Sequence, residues 1–204
     1  MSFSRIKNLF LLYKQKKQWR KTNSHNETNI NKITDLNKIS VGKKTYGDLN
    51  VFSWGSPNEG LIIGDYVSIA NDVKFILGGN HRYDTLSTYP FKVKLGIESI
   101  EAYSNGKIFV EDDVWIGMNS IIMSGVKIGK GAVIAAGSVV TRDIEAYSIV
   151  GGNPCRLIKY RFERDIIEVV KEIDLSDKDD SYFKDNINLL YDKLDSDIIH
   201  KFKY

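Results

Sequence analysis

Between Val110 and Gly151 the chain repeats every six residues: VEDDVW, IGMNSI, IMSGVK, IGKGAV, IAAGSV, VTRDIE, AYSIVG. The first position is filled in succession by Val110, Ile116, Ile122, Ile128, Ile134 and Val140. The fifth holds Val114, Ser120, Val126, Ala132, Ser138 and Ile144, all small or β-branched. A helix needs apolar residues three and four apart and an ordinary strand needs alternation; a period of six satisfies neither. It is the signature of a parallel β-helix, in which three short strand-and-turn units close a triangular coil and the next coil stacks at strand spacing. First-position side chains point inward as columns, fifth positions lie near the corners, and Gly117, Gly125, Gly129, Gly131 and Gly137 supply the backbone for tight turns.

An earlier block repeats the pattern with Ile63, Ile69 and Phe75 in first position and Val67 and Val73 in fifth. Val41 and Thr45 fit a first, degenerate coil. The two blocks are out of phase by one residue, so a segment leaves the helix between them. That segment, about residues 77–107, is longer than the connections usual in a compact domain, and such loops are commonly functional. It contains His81, one of three histidines in the chain.

The repeat divides the chain into residues 1–38, an N-terminal basic helix and linker, residues 39–160, the β-helix with its excursion, and residues 161–204, a helical extension. Residues 3–21 read as an amphipathic helix with Phe3, Ile6, Leu9, Phe10 and Tyr13 on one side and seven Lys or Arg residues around them. Two readings stand: peripheral contact with an anionic membrane surface, or packing on the protein itself or a neighbouring subunit, which is the more ordinary fate of such a helix. Residues 22–38, rich in Asn, Thr and Lys, read as a linker. FERDIIEVVKEI reads as a helix with Phe162, Ile166, Val169, Val170 and Ile173 apolar, and SYFKDNINLLYDKL and DIIHKFKY suggest one or two more. Their expected role is to cap the open end of the solenoid.

The formal charge of +3 gives no electrostatic case for nucleic acid. A single cysteine, Cys155, excludes an internal disulfide framework. No apolar run approaches membrane-spanning length and no secretory leader pattern is visible. The expected location is cytoplasmic.

GDYVSIANDVKFILGGNHRYDTLSTYPF, then DDVWIGMNSIIMSGVKIGKGAVIAAGSVVTRDI, then YSIVGGNPCRLIKYRF resemble the left-handed β-helix acyltransferases. Within them the chain is similar to the xenobiotic (streptogramin and chloramphenicol) acetyltransferases and their polysaccharide O-acetyltransferase relatives. The resemblance covers about residues 40–165. It implies an all-β solenoid, a left-handed parallel β-helix, assembled as a homotrimer with active sites between subunits, and acetyl-CoA as co-substrate. It also implies His81, in GGNHRYD, as the general base. Histidine suits that task because its ordinary pKa lies near neutrality. The ring then needs a partner to fix its tautomer: Asp84, a backbone carbonyl, or a carboxylate from elsewhere.

The same resemblance places Met118 and Ala136 at the thioester and pantetheine through their backbones. It sets Thr141 and Arg142 at the matching offset beyond, and Arg156 and Lys159 against the CoA phosphates, where cations make electrostatic sense. Asn80 either contacts the acceptor or braces the loop. Trp54 either stacks on the acceptor or fills the core. Trp115 either packs beside the cofactor or fills a corner. Cys155 stands where the family often has Ala, so direct transfer is expected rather than an acyl-cysteine. No metal is expected, since metal-binding β-helix relatives need three converging histidines and this β-helix region has one.

For the acceptor, the segment before Ile63 is short and the helix after GGNP lacks the tryptophans usual in antibiotic-modifying members. The expectation is therefore O-acetylation of a sugar hydroxyl in capsule or surface-polysaccharide synthesis. Antibiotic O-acetylation is the alternative, and N-acetylation of a nucleotide-linked amino sugar a further one. A catalytically silent scaffold is the reading of another class; the retention of His81 with the whole CoA-facing set argues against it.

Overall fold

The computed structural model describes residues 3–194 and divides into two compact units, Met1–Lys159 and Tyr160–Tyr204. The first is a parallel β-helix with three flat faces. One face stacks β2 (Ile39–Val41), β4 (Leu61–Ile63), β7 (Ile108–Val110) and β10 (Lys127–Ile128). The second stacks the start of β3 (Tyr46–Phe52) on β5 (Ser68–Ile69), β8 (Trp115–Ile116), β11 (Val133–Ile134) and β13 (Ser148–Gly152), with β14 (Cys155–Tyr160) beyond. The third stacks the end of β3 on β6 (Lys74–Ile76), β9 (Ile121–Met123) and β12 (Val139–Val140).

The registers show why the period is six. Val110 pairs with Ile128, Ile116 with Ile134 and Ile122 with Val140, so each residue lies over the one three repeats later. Across the excursion the same columns continue, with Ile63 on Val110, Ile69 on Ile116 and Phe75 on Ile122. The loop shifts the phase of the sequence without breaking a column. Ile116, Ile122, Ile128, Ile134, Val140 and Phe75 are completely buried, each contributing about 2 kcal/mol of hydrophobic stabilisation.

Fifth positions are inside as well: Val114, Ser120, Val126, Ala132 and Ser138 are at most 2% exposed. Small size there lets the corner close, and the buried hydroxyls of Ser120 and Ser138 both donate to the Ala135 carbonyl. The glycines serve two ends. Gly131 takes a positive φ of 65°, whereas Gly117 does not; a Cβ on Gly117 would lie 2.6 Å from the backbone nitrogen of Ala136 in the next coil. Several left-handed corners are made by other residues, among them Lys44, Tyr66, Asp113, Asn119 and Tyr147.

The linker reading of residues 22–38 gives way to structure. β1 (Glu27–Ile30) pairs in parallel with β3, setting Ile30 on Leu49, and both side chains are fully buried. α1 (Phe3–Thr22) belongs to the same compact unit. It is held by a face other than the expected stripe. Trp19, 2% exposed, donates from Nε1 to the Thr28 hydroxyl at 3.1 Å, and Gln15 both donates to the Thr34 carbonyl (2.6 Å) and accepts from the Thr34 amide (3.2 Å). Arg20 donates to the carbonyls of Asn23 and Thr28, each at 2.8 Å. Ile6, Leu9, Phe10 and Tyr13 face outward instead.

The second unit contains α3 (Arg164–Val170), α4 (Asp180–Asp185) and α5 (Ile187–Tyr191). Asp179 caps α4 by accepting from the Tyr182 amide at 2.9 Å. The helix expected over residues 197–204, with His200, lies outside the described residues. Among those described, no helix is long and apolar enough to cross a membrane.

Candidate active site

The excursion is closed at its neck. Asn80 and Tyr103 exchange two backbone hydrogen bonds of 3.0 Å, and the buried Ser104 hydroxyl donates to the Leu77 carbonyl at 2.5 Å. The Asn80 amide reaches the Ser124 hydroxyl at 3.4 Å in the coil alongside. Asn80 thus ties the neck of the loop to that coil. Beyond the neck lies α2 (Phe91–Lys94), and just before it, within STYP, the Ser87 side chain closes a local turn on the Tyr89 amide. There the Ser87 carbonyl accepts from the Thr85 hydroxyl at 2.8 Å and the Ser87 hydroxyl accepts from the Tyr89 amide at 3.1 Å.

That turn aims the Thr88 carbonyl at His81. Nδ1 of the imidazole donates to it at 2.8 Å. A carbonyl oxygen can only accept, so Nδ1 carries the hydrogen and Nε2 of the neutral ring keeps its lone pair. Asp84 is not the partner. It takes a bidentate ion pair from Arg82 at 2.9 and 2.6 Å, and that hydrogen-bonded guanidinium holds its carboxyl below the usual range. Both residues are exposed, so the pair contributes little to stability.

His81 opens onto a cavity of about 310 Å³ whose lining includes Arg82, Thr85, Ser87, Lys92, Glu98 and Glu101. Lys92 is paired with Glu98 at 2.8 Å. One carboxylate oxygen of Glu101, buried, has no hydrogen-bond partner among the described residues. Sequence reasoning missed Glu101 because a lone acid in a long loop carries no spacing signal.

A second buried acid was also missed. Glu59, in FSWGSPNEG, is 2% exposed and gathers the loop on itself. Its carboxylate accepts from the Ser53 hydroxyl (2.6 Å), the Trp54 amide (3.0 Å), the Gly55 amide (3.2 Å) and the Lys38 ammonium (3.3 Å). Burial pushes its pKa up, but these four donors outweigh it and leave it below the ordinary value. The result sets Trp54 against the backbone before His81: a Cβ on Gly79 would lie 2.8 Å from the indole. Trp54 is 46% exposed, so it is neither a core residue nor free of the loop.

The cofactor-side residues sit elsewhere on the triangle. Met118 and Ala136 occupy the corner after β8 and β11, joining the second face to the third, whereas His81 follows β6, where the third face ends. Met118 and Ala136 are exposed and stacked, with the Gly137 amide donating to the Met118 carbonyl at 2.8 Å. Their own amides make no hydrogen bond among the described residues. Thr141, Arg142 and Arg156 gather around the Cys155 thiol. Burial is the main influence there and raises the thiol pKa against the Thr141 backbone and the two cations, so the thiol stays protonated and is a poor nucleophile. The side chain of Lys159 is exposed. Trp115 fills no corner; it is 56% exposed on the outer side of β8. Within one chain, then, Arg142 and Arg156 lie near Cys155 and Met118 stacks on Ala136, while His81 is at a different corner. Among the described residues no group of three or more His, Cys, Asp or Glu side chains could hold a metal ion.

A β-helix with a histidine-bearing excursion and a cation-rich last coil defines a class, and comparison with known proteins names it. The family of bacterial transferase hexapeptide (six repeats) matches residues 107–142. The chain is 42% identical over 139 residues to a probable macrolide acetyltransferase of Lysinibacillus sphaericus, covering 64% of this chain and 76% of that one. It is 41% identical over 127 residues to a chloramphenicol acetyltransferase of Agrobacterium fabrum (strain C58), covering 57% of this chain and 61% of that one. The match thus spans about three fifths of the latter's length. Among solved structures it is similar to a galactoside acetyltransferase in complex with coenzyme A, with a TM-score of 0.55 and 25% identity, covering 79% of this chain and 82% of that one. The chain belongs to the bacterial hexapeptide-repeat transferases.

Proposed function

We propose that the protein is an acetyl-CoA-dependent O-acetyltransferase, a cytoplasmic homotrimer of left-handed coils, acting on a sugar hydroxyl in capsule or surface-polysaccharide synthesis. The observation that carries the reading is His81: its Nδ1 is committed to a carbonyl and its Nε2 is left as a base beside a polar cavity. When bound, acetyl-CoA supplies an acyl group activated as a thioester. Nε2 of His81 takes the proton of the attacking hydroxyl, a contribution of about a hundredfold or more.

The amides of Met118 and Ala136 fit the donor: they are unpaired, lie on an open corner, and approach closely because Gly117 beneath them has no side chain. Arg142, Arg156 and Lys159 meet its phosphates. Because His81 and Met118 lie at different corners of the triangle, on successive coils, a complete site takes His81 from one copy and the donor groove from its neighbour. Exposed Trp115 and Phe109, on the outward sides of β8 and β7, suit burial between copies.

The cavity favours a sugar, since its lining is rich in hydroxyls and charges. The relatives named for chloramphenicol and macrolide acetylation favour the second reading, an antibiotic hydroxyl. Thiol release and product mass across surface-polysaccharide oligosaccharides and acetylatable antibiotics separate the two. Turnover on saccharides with no resistance in a sensitive host supports the first; turnover on antibiotics alone assigns the second.

A further inference from the structure

α1 has a second face that the fold leaves uncovered. Ile6, Leu9, Phe10 and Tyr13 are 53–64% exposed, and their spacing of three and four places them in one continuous stripe. The helix carries seven Lys or Arg residues and no Asp or Glu. At the helical rotation of 3.6 residues per turn, Arg5 and Lys16 border the stripe on one side and Lys7 and Lys14 on the other. The Lys14 ammonium sits 4.5 Å from the centre of the Phe10 ring. The opposite face is tied down by Trp19 and Gln15, so the stripe cannot turn inward without breaking those hydrogen bonds.

We propose that α1 lies on an anionic lipid bilayer, its apolar stripe inserted at the headgroup boundary and its bordering cations against the lipid charges. Charge complementarity selects this occupant. An apolar stripe alone would suit any greasy surface, but a rim of cations with no anion suits one that is uniformly negative. A second copy meeting the stripe face to face would bring like charges together. The helix is not apolar enough to span, so the contact is peripheral. It stands independently of the acetyl-transfer reading.

The test is sedimentation of the full chain with vesicles of phosphatidylcholine alone and of phosphatidylcholine containing about a quarter phosphatidylglycerol. The protein is expected to pellet with the mixed vesicles only and to be released as salt shortens the Debye length. A Lys7→Gln/Lys14→Gln/Lys16→Gln variant should lose on the order of a hundredfold in partitioning, and an Ile6→Ser/Leu9→Ser/Phe10→Ser variant at least tenfold. Thermal unfolding should be unchanged in both, because these side chains are exposed. Failure of the wild type to bind mixed vesicles, or equal binding to neutral ones, overturns the proposal. A fall in oligomer mass in the serine variant without loss of vesicle binding also overturns it and assigns the stripe to a second copy.

Discussion

Nδ1 of His81 donates to the backbone carbonyl of Thr88 at 2.8 Å, and no carboxylate takes part. The partner belongs to the same loop, so the ring is oriented by the turn that STYP forms rather than by an acid from the β-helix. Asp84, the nearby acid, is occupied by Arg82. Asp84→Asn is therefore expected to leave kcat within about twofold, whereas removal of a true orienting carboxylate costs orders of magnitude. Steady-state kinetics on the acetylated acceptor decide this; a hundredfold loss in Asp84→Asn would mean that the carboxylate reaches the ring during turnover.

Glu59 should be a stability residue. Glu59→Ala strands Lys38, the Ser53 hydroxyl and two amides in a buried loop, and should cost about 3 kcal/mol. Its pKa is lower folded than unfolded, so the stabilisation is present above the ordinary value of 4.5 and is lost as pH falls through the folded value. Thermal melts of wild type and variant should converge on acidification below 4.5.

Gly79 is committed twice, by a φ of 83° and by the indole of Trp54 lying where a Cβ would go. Gly79→Ala should cost about 1–2 kcal/mol from backbone strain alone, with a further loss from the clash. Adding Trp54→Ala should recover the second part and not the first. A double-mutant cycle measured by denaturant unfolding gives the coupling; strict additivity would show that the two do not touch.

Gly117 bears on the donor groove rather than on His81. Gly117→Ala would push a methyl to 2.6 Å from the Ala136 nitrogen, a backbone atom that cannot swing away. CoA affinity by calorimetry is expected to fall at least tenfold, the equivalent of about 1.4 kcal/mol. Unaltered affinity would place the donor elsewhere.

Much of the β-helix was legible because one side chain in six must fill a column, and that demand survives variation everywhere else. The registers of Ile116 with Ile134 and Ile122 with Val140 follow from spacing alone. β1 was not legible: its four residues read ETNI, and only the pairing of Ile30 with Leu49 reveals a strand. α1 was legible as a helix, but its docking face was not. Burial there is set by Trp19 and by the hydrogen bonds of Gln15 and Arg20, whereas its most apolar stripe faces out. At the site, His81 could be singled out through its motif, but Thr88 could not, since a carbonyl has no letter of its own. Glu59 and Glu101 act through burial, which a single acid in a loop does not announce.

The central claim is that His81 is the base for acetyl transfer from acetyl-CoA, and its most direct measurement is thiol release by the wild type and His81→Ala with saccharide and antibiotic acceptors. The account predicts turnover in the wild type, a loss of about a hundredfold or more in kcat in the variant, and unchanged CoA binding in both. Equal turnover by the two proteins, or CoA binding without thiol release on any acceptor, would contradict it.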